Sequence, residues 1–140
     1  MTPPARRIAV VTCMDARLDA AGFLDAWPAP VHIARNAGGR VTADVLRSLA
    51  VSSTMQIERI LVIHHTQCAM AEHSEEEILE RLPVGAEPTM DFLTIADPLE
   101  ALRQDVRSIR DSALIPTGIE VSGFVYDLDA RVAREVDLCD

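Results

Sequence analysis

The 140-residue chain contains no lysine; all thirteen of its basic residues are arginine. Schiff-base chemistry, a pyridoxal-phosphate site and a P-loop are therefore excluded, because each depends on a primary amine. Basic charge is scarce altogether. With 22 acidic residues the net charge is −9, and no basic stripe is available to neutralise phosphates, which argues against nucleic acid as a partner. No apolar run reaches the roughly 18 residues of a membrane span, and the N-terminus lacks a signal-peptide core, so a cytoplasmic protein is expected. Cysteine is also sparse, at positions 13, 68 and 139. An odd count of three does not make a disulfide framework and fits metal or catalytic use in a reducing compartment. The absence of a Cys-x-x-Cys pair removes a thioredoxin-like redox role. No internal repeat or linker divides the chain, and one domain over residues 1–140 is expected.

What is present is an alternation of strands and helices, which predicts an α/β fold with a mostly parallel sheet of about four strands flanked by helices. Ile8–Thr12 reads as a buried β-branched strand, followed by a helix over Asp19–Ala26 that Trp27-Pro28-Ala29-Pro30 ends. Val31–Arg35 reads as the second strand, closed by the turn Asn36-Ala37-Gly38-Gly39. Thr42 is the expected N-cap of a helix to about Met55, with Val45, Leu46, Leu49 and Ala50 inward. The third strand is Arg59–His64, and Ser74 with Glu77 forms a capping-box pattern for a helix to Leu82. A loop over Pro83–Ala96 leads to a helix opening at Asp97-Pro98 that buries Leu99, Leu102, Val106 and Ile109. Gly123–Tyr126 is the fourth strand, with Val132–Val136 returning as a possible antiparallel edge.

In a parallel sheet, ligands bind beyond the carboxyl ends of the strands. Cys13 lies at that end of the first strand, His65 and Cys68 at that end of the third, and the Asn36–Gly39 turn on the same edge. Either cysteine alone reads as a buried thiol rather than a ligand. Two thiolates and an imidazole on one functional edge read as a three-ligand zinc set whose fourth position is open. Asp15 and Arg17 follow Cys13 closely enough to form a carboxylate–guanidinium pair beside the metal, or an ordinary strand-end salt bridge. A cysteine-nucleophile phosphatase is excluded on electrostatics, because the residue six beyond Cys13, where that chemistry needs arginine, is Asp19. His32, His64 and His73 are proton shuttles by type only: His64 reads as packed or hydrogen-bonded, and His73 sits beside Glu75-Glu76-Glu77 at a solvated helix start. Cys139 reads as a tail thiol without a role.

The series Cys13-x-Asp15-x-Arg17, Arg35-Asn36-Ala37-Gly38, then His65-x-x-Cys68 resembles the β-class carbonic anhydrases. Val41-Thr42-Ala43-Asp44 and Arg47-Ser48-Leu49-Ala50 extend the resemblance, which runs from Ile8 to Met70 and weakly to Gly123–Asp127. It implies a zinc lyase that interconverts carbon dioxide and bicarbonate through zinc-bound hydroxide, with Cys13, His65 and Cys68 on the metal and Asp15 and Arg17 as the catalytic dyad. Asn36, Ala37 and Gly38 would line the substrate pocket, and Asp15 would be a fourth zinc ligand in a resting form. A homodimer or higher homo-oligomer is implied, although the first strand begins too near Met1 for the family's N-terminal arm. Residue 69 is alanine where the family usually has glycine, and residue 67 is glutamine where close relatives often carry aspartate. If position 69 requires positive φ or close backbone approach, alanine strains the site by about 1 kcal/mol. Two alternatives remain open on the same scaffold. One is a zinc-binding protein with little turnover and a bicarbonate-binding or structural role; the other is a hydrolase of carbonyl sulfide or carbon disulfide.

Overall fold

Five strands build the sheet: β1 Arg7–Cys13, β2 Val31–Asn36, β3 Ile57–His65, β4 Glu120–Asp127 and β5 Val132–Val136. They come from a computed structural model that describes residues 7–18, 31–83, 85 and 90–138. The strand order is β2-β1-β3-β4-β5. The first four are parallel and β5 returns antiparallel to β4, so the mostly parallel α/β sheet with an antiparallel edge is the fold observed. β5 has the expected bounds, and the other four strands begin or end one to three residues from the expected positions. The largest difference is β4, whose Glu120–Ser122 pairs with Arg59–Leu61 of β3, a partnership that the local pattern Glu-Val-Ser does not announce.

Four helices are described: α1 Ala43–Ser53, α2 Ala69–Glu72, α3 Glu75–Glu80 and α4 Pro98–Arg110. Thr42, Ser74 and Asp97 cap α1, α3 and α4 through their side-chain oxygens, each satisfying an amide that the first turn leaves unpaired. The one-turn α2 was not foreseen; its sequence is too short to show helical periodicity. The expected helix over Asp19–Ala26, its Trp27–Pro30 stop and Cys139 lie outside the described residues.

The sheet is buried on both faces, as a parallel sheet must be. Ala9, Val11, Ile60 and Val62 pack with Val45 and Leu49 of α1 and with Leu102, Val106 and Ile109 of α4. Ile8, Val10, Leu61 and Ile63 face the opposite layer with Leu18, Ile95 and Tyr126. Each such aliphatic side chain contributes about 1.5–3 kcal/mol on burial. Leu46 and Ala50 are partly buried at the margin of α1's inner face. Leu99, expected inside α4, is instead 47% exposed. The buried stripe runs through Ala101, Leu102, Asp105, Val106 and Ile109, and Leu99 projects about a quarter-turn to its side in the first turn. A charged residue, Asp105, occupies the middle of that stripe.

Register places the functional edge. Cys13 pairs with Asn36, and Thr12 with both Arg35 and Ile63, so β1, β2 and β3 end together. The chain leaves β1 toward β2 and then crosses to β3 on the other side of β1. That reversal opens a crevice between the carboxyl ends of β1 and β3.

Candidate metal centre

The crevice holds Cys13, His65 and Cys68, whose donor atoms all lie within 4.8 Å of one another. Thr12 draws the two strand ends together by donating its hydroxyl to the Ile63 carbonyl at 2.8 Å. His65 Nδ1 lies 2.6 Å from the Thr66 carbonyl, so Nδ1 carries the proton and Nε2 presents a lone pair. Nε2 is buried and has no hydrogen-bond partner among the described residues, a costly state unless a ligand fills it. Two sulfurs and one unpartnered imidazole nitrogen at this spacing fit zinc in chemistry and number. Cys13, His65 and Cys68 are thus a set able to hold the metal.

Electrostatics favour a cation here. The Cys68 thiol donates toward Cys13 and holds it down at about 4, against burial and with help from His65 and the backbone amides of Asp15 and Gly38. Cys68 is pushed up in turn, first by the Cys13 thiolate beside it and then by burial. Burial lowers His65, but Cys13, the Thr66 carbonyl and the Asp15 charge together outweigh it and the net direction is upward. The pair shares one proton, which a metal ion displaces.

Asp15 and Arg17 form the expected pair. Asp15 Oδ1 accepts from the Arg17 amide at 2.8 Å and Nε at 3.1 Å, and Oδ2 accepts from the guanidinium at 2.7 Å. These bonds, chiefly the side-chain ones, hold the Asp15 carboxyl at about 2 and raise Arg17. Asp15 Oδ2 lies 3.8 Å from His65 Nε2, yet Asp15 is not in the group of donors clustered within 4.8 Å; both its oxygens accept from Arg17, and Oδ2 keeps accepting capacity. Arg17 also donates to the Gln67 carbonyl at 2.8 Å, and the Gln67 amide reaches the Asp129 carboxylate at 3.2 and 3.3 Å.

Sequence reading missed Arg35 as a positioning group. From the end of β2 it donates to the carbonyls of Cys13, Asp15 and Leu18 at 2.8–3.0 Å, pinning the loop that carries the dyad. The backbone of the following turn also approaches the site. Gly38 has φ +83° and donates its amide to Cys13 Sγ at 3.3 Å. Asn36 spends its side chain on closing this turn, donating to the Arg40 carbonyl and accepting the Arg40 amide. Ala37 opens the turn. Beside it lies a cavity of about 270 Å³ reaching Gly38, His65, Cys68, Ala71, Ile95 and Val125.

Ala69 does not take a positive φ. Ala69 opens α2, and the positive φ, +56°, belongs to Gln67. The three histidines outside the cluster are engaged elsewhere: His32 Nδ1 with Ser52 at 2.6 Å, His64 Nε2 with Asp105 at 2.9 Å and His73 with Glu77 at 3.2 Å.

Comparison with known proteins bears on this geometry. The sequence model of the carbonic anhydrase family matches residues 8–91, and β-carbonic anhydrase 1 of Mycobacterium tuberculosis is 36% identical over 137 residues, covering 96% of this chain and 84% of its own. The chain belongs to the β-carbonic anhydrase family. A carbonic anhydrase crystal structure from Streptococcus mutans superposes with a TM-score of 0.87 at 41% identity, covering 96% of this chain and 83% of that one. Carbon disulfide hydrolase of an Acidianus strain is 30% identical, covering 95% of this chain and 78% of its own. Within the β-carbonic anhydrase family the Cys13–His65–Cys68 cluster is consistent with the typical zinc site. No described helix is long and apolar enough to cross a membrane.

Proposed function

We propose that this β-carbonic anhydrase hydrates carbon dioxide reversibly to bicarbonate, with zinc held by Cys13, His65 and Cys68. The observation that carries this reading is the unpartnered His65 Nε2, clustered with two sulfurs and set 3.8 Å from a carboxylate oxygen already fixed by Arg17. When bound, zinc supplies Lewis-acid activation of water.

The chain's own residues supply orientation. Asp15 stays ionised well below neutrality and is therefore an acceptor only. A water beside Oδ2 donates its hydrogen there and turns a lone pair away from Asp15, toward a linear substrate. Arg17 holds the carboxylate plane from one side with paired donors, which a lysine would not reproduce. Gly38 admits the backbone close to Cys13, and we assign Asn36 and Ala37 to the same wall because they shape the turn that presents Gly38. The adjoining cavity suits a small linear molecule, with Ile95 and Val125 excluding water from one side. We also propose a homodimer, because edge strand β2 exposes Ile33 beside the exposed Val51 and Met55 of the neighbouring helix region.

The 30% likeness to a carbon disulfide hydrolase favours one second reading, hydrolysis of carbon disulfide or carbonyl sulfide by the same groups. Stopped-flow assay of zinc-loaded protein separates the two: CO₂ hydration well above that of Asp15→Ala is expected, with little sulfide released from carbon disulfide. Equal turnover by wild type and Asp15→Ala contradicts both, and efficient sulfide release with negligible CO₂ hydration selects the second.

A further inference from the structure

Behind the metal cluster, α4 carries a buried carboxylate that no step of the proposed chemistry uses. Asp105 is 3% exposed. Its Oδ2 accepts from Arg40 Nε at 2.8 Å and from His64 Nε2 at 2.9 Å, and its Oδ1 accepts the Val41 amide at 3.1 Å. Arg40, 5% exposed, donates further to the Leu93 carbonyl at 2.9 Å and toward Gln104 at 3.4 Å. A buried ion pair of this kind is an inefficient source of stability, because desolvating both charges offsets much of their attraction. Its value lies in what it connects.

Arg40 and Val41 directly follow the turn whose Gly38 amide binds Cys13 Sγ. His64 directly precedes His65. One carboxylate therefore grips both the turn that hydrogen-bonds Cys13 and the strand end that delivers His65, from a helix that delivers no donor. The turn has little freedom in between. A Cβ on Gly39 would sit 2.9 Å from the Thr12 carbonyl carbon, so a displacement of Arg40 passes to β1 at Cys13 rather than being absorbed.

We propose that Asp105 is a positioning residue of the metal centre: through Arg40, Val41 and His64 it fixes the spacing between the Cys13 side and the His65 side of the cluster. The role rests on the zinc reading above. Groups that orient ligands from behind typically change metal affinity by about 10- to 100-fold when removed.

Transfer of zinc from the loaded protein to a chromophoric chelator tests this. Asp105→Asn, close in size but presenting an NH2 donor in place of one of the two accepting oxygens, is expected to release zinc about 10- to 100-fold faster than wild type. Its cobalt(II)-substituted form is expected to show a shifted thiolate-to-metal absorption. Val121→Ala, a core truncation at the far end of β4, controls for lost stability and is expected to release zinc at the wild-type rate despite a lowered Tm. Should Asp105→Asn fail to fold, Arg40→Lys keeps the charge but loses the guanidinium fork, and a several-fold faster release with the same spectral shift is expected. Wild-type release and spectrum in the folded Asp105 or Arg40 variant, or equal acceleration in Val121→Ala, overturns the proposal alone. A wild-type chain that holds no zinc overturns the metal reading and this inference with it.

Discussion

Asp15 accepts three bonds from Arg17 and faces the metal donors with its remaining capacity. Replacing it with asparagine keeps the shape but turns one acceptor into a donor. Asp15→Asn is expected to lower kcat by about 100- to 10,000-fold, the range of a lost proton-accepting group, with zinc content by atomic absorption unchanged. The same residue constrains the pH profile. Because Asp15 is held at about 2, it stays charged from pH 6 to 9, and CO₂ hydration across that range is expected to climb toward alkaline pH. Two thiolates and a neutral imidazole leave the metal formally neutral, so bound water is acidified less than over three histidines. A flat profile contradicts this. The Asp15–Arg17 pair's contribution to stability has the opposite limit: present above the ordinary carboxyl value of 3.8, it is lost as pH falls through about 2. Cys13, His65 and Cys68 were legible in the sequence because their chemistry is rare and each closes an apolar run. Asp105 was not, because its partners lie 41 to 65 residues away, and a lone aspartate in a helix reads as solvated. Its place within the apolar stripe of α4 was the available signal.

At the scale of elements, the close approach of the Gly38–Gly39 turn to β1 joins fold to site. A methyl at Gly39 meets Thr12 and Cys13 backbone at 2.9–3.0 Å, at φ +65°. Gly39→Ala is therefore expected to cost about 3 kcal/mol, combining backbone strain with overpacking, and to lower zinc occupancy. Gly85→Ala has a similar φ of +85° but nothing within 4 Å, and is expected to cost about 1 kcal/mol and leave zinc bound; urea denaturation with metal analysis compares them. Buried strands and capped helices were readable because their signals are local: β-branched runs, and Thr42, Ser74 and Asp97 each three residues ahead of the amide they cap. The extension of β4 and the single turn of α2 were not, since the first depends on pairing with β3 and the second on four residues alone. The position of the positive φ near Cys68 was hidden for a related reason. Sequence indicates that a tight turn precedes Cys68, but only the backbone shows that Gln67 takes the left-handed conformation.

For the molecule as a whole, the metal donors span the crevice between β1 and β3, with Cys13 and His65 ending central strands and Cys68 preceding α2. Zinc binds the folded arrangement, so its removal lowers stability by mass action, by about 4 kcal/mol at a free concentration 1,000 times Kd. Chelation is expected to lower Tm by on the order of 10 °C for a domain of this size, measured by calorimetry before and after zinc is returned. The α/β architecture followed from the alternation of strand and helix patterns, and the functional edge from parallel topology alone. The order β2-β1-β3 did not, yet it is this crossover that brings residues 13, 65 and 68 into one crevice. The most direct test of the whole account is a titration of metal-free protein with zinc, following CO₂ hydration by stopped flow. Activity is expected to rise linearly and saturate at about one zinc per chain, with none recovered in Cys68→Ser; activity independent of zinc, or full recovery in Cys68→Ser, would contradict it.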